Sequence, residues 1–182
     1  MPRKYFRKYL PTYESLEQHK WFARFAGFLQ HPNLWHLHRK SVSGGVAVGL
    51  FAGLVPGPLQ MITAALLAVP LRVNLPVALI TTLYTNPFTI GPLYLLAYEY
   101  GKLLTGGDGI VLSQAPDLEW MHPLVWADAF VHWMLSLGKP LAVGLIALSL
   151  TLALAGWVIV RLAWRIEVTL AWRRRKRLRA AR

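Results

Sequence analysis

The chain contains no cysteine, and acidic residues are scarce, with 8 Asp and Glu against 20 Lys and Arg in 182 residues. The first absence excludes a disulfide framework, a thiolate nucleophile and a cysteine zinc site. There is also no phosphate-cradling P-loop, no GxSxG elbow and no HExxH helix, so the familiar catalytic signatures are missing. No apolar h-region follows the basic start "MPRKYFRKYLPTYESLEQ". A cleaved signal peptide is therefore not expected, and the first apolar segment would act as its own targeting signal. An enzyme is not the expectation.

What is present is apolar residues in long blocks. Three runs carry no charge: Ser41 to Leu71, Val73 to Tyr98 and Pro140 to Val160. Helices of a soluble core need a polar face, and these blocks have none of that length. The expected class is an all-α membrane protein. A helix needs roughly 20 apolar residues to cross a bilayer. The first run has 31, yet its middle reads "GLVPGPLQM", with Gly53, Pro56, Gly57 and Pro58. Those residues stop helices.

Charge sorting supplies a topology. Residues 1–40 carry net +6 and residues 161–182 net +8, while residues 103–138 hold four acids and no Lys or Arg. Positive-inside bias then places both termini in the cytoplasm and residues 105–138 on the far side. With Pro140–Val160 crossing outside to inside, residues 41–104 must make an odd number of crossings. The simplest arrangement is a helix–break–helix hairpin that enters and returns at the first block. The second block then crosses with a break at "TNPFTIGP", unless the amphipathic outer helix itself spans. The expected division is a basic amphipathic cytoplasmic segment (1–40), a membrane core with two broken or re-entrant helices (41–104), an outer-side loop and amphipathic helix (105–138), a transmembrane helix (139–164) and a basic cytoplasmic tail (165–182).

"GPL" opens an apolar stretch at residues 57–59 and again at 91–93. Gly then Pro suits an N-cap followed by N1, where the missing N–H costs nothing. The 34-residue spacing hints at a repeat, although three shared residues also arise from common turn chemistry. Paired broken helices in transporters present half-helix N-termini to anionic groups. The candidate substrate site accordingly gathers Gly57, Pro58 and Gln60 at one break with Asn86, Pro87, Thr89 and Gly91 at the other. Tyr94, Tyr98 and Glu99 lie beyond the second break. The alternative is that Pro and Gly only shape helix packing. Glu99 lies three residues before Lys102, so an interfacial pair competes with proton coupling for it.

The order of motifs is similar to one family. Gly-Leu-Phe-Ala-Gly-x-x-Pro from Gly49, Arg-x-Asn at 72–74 and "NPFTIGPLYLLAYEYG" from Asn86 to Gly101 resemble a bacterial membrane family catalogued as domain of unknown function 2062. The resemblance implies a bacterial inner (plasma) membrane protein with no settled activity. Some relatives join this module to a glycosyltransferase domain, which this chain lacks.

In the flanks, Ser15 and Gln18 have capping-box spacing, and Trp21, Phe22, Phe25, Phe28 and Leu29 share a helical face up to Pro32. That helix would lie in the interface or pack on the protein's own membrane part. Trp120, Trp126 and Trp133 suit an outer interfacial belt. Arg173, Arg174, Arg175, Lys176 and Arg177 follow a membrane segment directly, where a basic cluster anchors topology and meets anionic lipid rather than nucleic acid. His31, His36 and His38 read as solvated rather than metal-bound, and Asp128 with His132 as a structural pair. No metal and no cofactor are expected. Expected partners are membrane lipids, especially anionic ones, and a second copy or another membrane protein. Three functions compete, the first narrowly ahead of the second: a small transporter or translocator of lipids or lipid-linked precursors with its site between the two breaks, a non-catalytic partner or scaffold of an envelope enzyme such as a glycosyltransferase, and an enzyme on a lipid-linked substrate, for which no nucleophile or metal set is visible. Gly44, Gly45, Gly49 and Gly53 would serve the second by packing helices.

Overall fold

The computed structural model describes residues 31–106, 116 and 123–180. The sequence features of the first 30 residues, and Trp120 with the acids at 108, 117 and 119, lie outside them. The regular structure among the described residues is all helical, with no strand. A 3-10 turn, Pro32–Leu34, precedes six helices: α1 Arg39–Ala52, α2 Leu59–Leu71, α3 Leu75–Thr82, α4 Ile90–Thr105, α5 Pro123–Ser136 and α6 Gly138–Ala180. By internal contacts the chain forms two compact units, Met1–Thr82 with Ala153–Arg182, and Leu83–Leu152.

In the first unit, α1 and α2 form a hairpin. His38 caps α1, its Nδ1 accepting from the Ser41 N–H at 3.2 Å. The connection between α1 and α2 needs a left-handed residue, and Gly57 supplies it at φ 65° without steric cost. α2 carries Pro70 in its last turn and closes on Arg72 at φ 53°, whose N–H reaches Ala68 O and Val69 O. The chain then arrives back where α1 began: the Asn74 N–H donates to Ser41 O at 3.1 Å. Asn74 caps α3 by accepting the Val77 N–H on Oδ1 at 2.9 Å.

α3 lies along α1, and glycine makes that possible. A Cβ on Gly45 would stand 2.7 Å from Asn74 O, and one on Gly49 would meet Ala78 O and the Thr81 side chain. The pairings 45 with 77 and 49 with 81 advance together, so the two helices run parallel. Leu34, Val48, Ala52, Ala64, Ala68, Leu75 and Ala78 form the core of this unit. Its later helix contribution approaches through Gly156, against Leu50 and Val46. Small residues thus set the spacing here, as expected where lipid would supply no hydrophobic drive between helices.

In the second unit, α4 and the start of α6 run antiparallel. Gly101 sits against Pro140 O, and Gly144 against Ala97 O. Helix α5 packs an aromatic stripe inward: Phe130 meets Tyr94 edge-on at 5.5 Å and stacks with Trp126 at 5.3 Å. This corrects the expected outer belt for Trp133. Trp133 is only 6% exposed, and both Trp126 and Trp133 stand beside Phe130. Aromatic packing against Tyr94 has taken the face that an interfacial belt would need.

Helix α6 has 43 residues, or about 64 Å at 1.5 Å per residue. Its portion Gly138–Arg173 is long and apolar enough to cross a membrane. No break separates the expected transmembrane helix (139–164) from the expected basic tail (165–182), which continues the same helix through Ala180. Other helices leave large apolar residues exposed, among them Leu66, Leu71, Ile80, Leu96, Leu103 and Leu124.

Candidate functional site

The two breaks fall where the sequence placed them, but in different units, and each has its own geometry. At the first, Gly57 and Pro58 are exposed and Gln60 is half-buried in the first turn of α2. Pro58 is the N-cap and makes no side-chain cap hydrogen bond. The Gln60 N–H donates to Gly57 O at 3.3 Å and the Met61 N–H to Pro58 O at 3.2 Å.

The second break is closed by its own polar groups. Asn86 Oδ1 accepts from the N–H groups of Phe88 and Thr89 at 3.0 and 3.1 Å. Thr89 Oγ1 accepts from the Asn86 N–H at 3.0 Å and donates to Tyr84 O at 2.7 Å. This is the reciprocal logic of a capping box, with Asn and Thr in the two roles. Asn86 and Pro87 are exposed, while Thr89 and Gly91 are half-buried. The Gly-Pro pairs do not occupy the expected N-cap and N1. Gly57 and Pro58 stand one position earlier, and Gly91 and Pro92 two later, because Thr89 caps α4. Proline fits both places, since the first turn's N–H groups have no intrahelical partner.

The residues beyond the second break separate. Tyr94 and Tyr98, four apart, are fully buried. Glu99 is exposed and lies 3.7 Å from Lys102 Nζ. They do not share a cavity face, as a one-residue step turns a helix by about 100°. Asp128 and His132 also pair at 3.7 Å, both on the exposed side of α5.

In the tail, Arg173, Arg175 and Lys176 are exposed, and the side chains of Arg174 and Arg177 lie outside the described set. Lys176 Nζ stands 5.6 Å over the Trp172 ring, and Arg161 stands 4.2 Å over Trp157. Both contacts are of cation–π type. Among the described residues, no three His, Asp or Glu side chains gather to hold a metal ion.

One polar cluster was not foreseen. Asn74 is fully buried at the base of the first unit. Its Nδ2 reaches His36 O at 3.5 Å, and Ser41 Oγ donates to Asn33 O at 2.6 Å. His38 Nε2 stands 3.2 Å from Asn33 Oδ1. Because His38 Nδ1 accepts from Ser41, the neutral ring carries its proton on Nε2 and donates it to Asn33. The signal was legible in "RVNLPVALI": Asn before Leu-Pro and an apolar run marks a helix start.

A family model described as an uncharacterized protein conserved in bacteria (DUF2062) matches residues 22–173. No curated protein matches the chain. No solved structure matches it.

Proposed function

The chain belongs to the uncharacterized bacterial family DUF2062, and on that footing we propose that it is a non-catalytic integral protein of the bacterial inner membrane. Its work is to pack against another membrane protein or a second copy, and an envelope enzyme such as a glycosyltransferase is the partner class in view. The observation that carries this reading is the second break. There the N–H groups of Asn86, Phe88 and Thr89 donate to the Thr89 and Asn86 side chains, and the Thr89 hydroxyl donates to Tyr84 O, so the donors an anionic substrate would need are spent within the chain. Glycines 44, 45 and 49 are taken up by the chain's own residues 73–81, so a partner would meet the exposed apolar side chains instead, among them Leu66, Ile80 and Leu103. In this reading both termini are cytoplasmic, the α1–α2 hairpin enters the membrane and returns, the block from α3 through α4 crosses outward, and α6 crosses back.

Transport through a site at the breaks is the second reading. It is favoured by the first break, where Gly57 and Pro58 are exposed and α2 lacks a side-chain cap. The two readings diverge in a deletion strain scored for envelope-precursor pools. Asn86→Ala and Gln60→Ala proteins at normal abundance that restore the pools support the packing role. Loss of complementation at normal abundance and assembly supports a substrate site instead.

A further inference from the structure

The base of the α1–α2 hairpin is cationic. Arg39 and Lys40 open α1, Arg72 closes α2, and all three are exposed. The Asn74–Ser41 hydrogen bond and the contact of Gly44 with Val73 hold these chain ends together. Between Glu17 and Glu99 the sequence has no acid at all. None of the three cations forms an ion pair among the described residues. The opposite end of the hairpin, residues 53–60, has no charge. Helices of 14 and 13 residues make the hairpin about 20 Å deep, short of a hydrocarbon core of roughly 30 Å.

Arg72 adds a backbone argument. It is the one non-glycine residue with positive φ among the described residues, at 53°, in a helix-closing position that glycine ordinarily fills. Keeping an arginine there sacrifices stability, which points to a use for its side chain. The tail suits a headgroup less well. As an unbroken helix, α6 carries Arg173 about 18 Å beyond Arg161, whereas the headgroup layer is about 5–8 Å thick.

Resting on the membrane reading above, we propose that Arg39, Lys40 and Arg72 form a collar that binds the headgroup phosphates of anionic phospholipids. The apolar tip points into the bilayer and the collar stays at its surface. The collar fixes the depth at which the hairpin sits.

The test uses the full chain in vesicles with and without phosphatidylglycerol. Flotation after carbonate washing reports embedding, and native mass spectrometry reports retained phosphatidylglycerol. Wild type that fails to float sinks the membrane reading itself. With wild type embedded, the triple variant R39Q/K40Q/R72Q should lose retention by about fivefold for each cation removed. The tail variant R173Q/R175Q/K176Q should stay within about twofold of wild type. Arg72→Gly guards against misfolding: its melting temperature should equal or exceed wild type while retention falls about fivefold. Unchanged retention in Arg72→Gly overturns the collar, as does a loss confined to the tail variant. Release of the lipid by inorganic phosphate, but not by chloride of equal ionic strength, would mark a soluble-anion site and overturn the lipid assignment.

Discussion

Two asparagines at helix starts do different work because one is buried and one is not. Asn74 caps α3 on Oδ1, offers Nδ2 to His36 O, and has no exposed surface. Asn74→Ala would leave a buried carbonyl and the α3 N-terminus without a partner. The expected cost is about 2–3 kcal/mol, combining a lost cap with a buried unsatisfied group. It should appear as a lower melting temperature and lower protein level. Asn86 is exposed, and water replaces what its removal takes away. Asn86→Ala should cost only about 1 kcal/mol. Asn86→Ser, which can still cap, should recover most of that, measured as thermal stability in detergent. A substrate amide would not be rescued by serine, so the same variant bears on the transport reading.

Between helices, the decisive distances are set by residues with no side chain. Gly101 and Gly144 place the backbones of α4 and α6 in direct contact, and a single added methyl at either meets a carbonyl oxygen. Gly144→Ala should therefore destabilise the second unit by several times the cost of Gly106→Ala. At Gly106 the space around the Cβ is open and only the positive φ of 64° resists, at about 1 kcal/mol. Comparing the two melting temperatures checks this, and equal shifts would mean that the helices separate without loss. Glycines 44, 45 and 49 were readable in the sequence as packing residues. Their partner was not, because a small-residue face says that something approaches and leaves open what. The structure supplied Val73 for Gly44, and α3 through Val77 and Thr81 for the other two. The stripe of α5 read in the sequence as an interfacial belt, because nothing in the spacing shows that Phe130 meets Tyr94 and that Trp133 is buried beside it.

For the whole molecule the prediction is one of sidedness. The chain lacks cysteine, so single cysteines report without a background. In intact cells, a cysteine at position 113 should react with a membrane-impermeant thiol reagent from outside. One at position 175 should react only after permeabilisation, and external labelling there would overturn the topology. A cysteine at Gly57 should react from neither side, as the hairpin tip would lie within the hydrocarbon. The sequence by itself determined the helical class, the two breaks, a C-terminal helix long enough to cross a membrane and the sorting of charge. Each is a local consequence of composition: apolar blocks make helices, Pro and Gly interrupt them, and charges avoid apolar runs. Only the tertiary structure decided which groups join where α2 returns to the start of α1, that Asn74 closes this base, and that Asn86 and Thr89 satisfy each other. Those are hydrogen bonds and backbone approaches between residues up to 38 positions apart, or dependent on the orientation of one side chain within a turn. Residue type limits which partners are chemically possible, and the folded path of the chain selects among them.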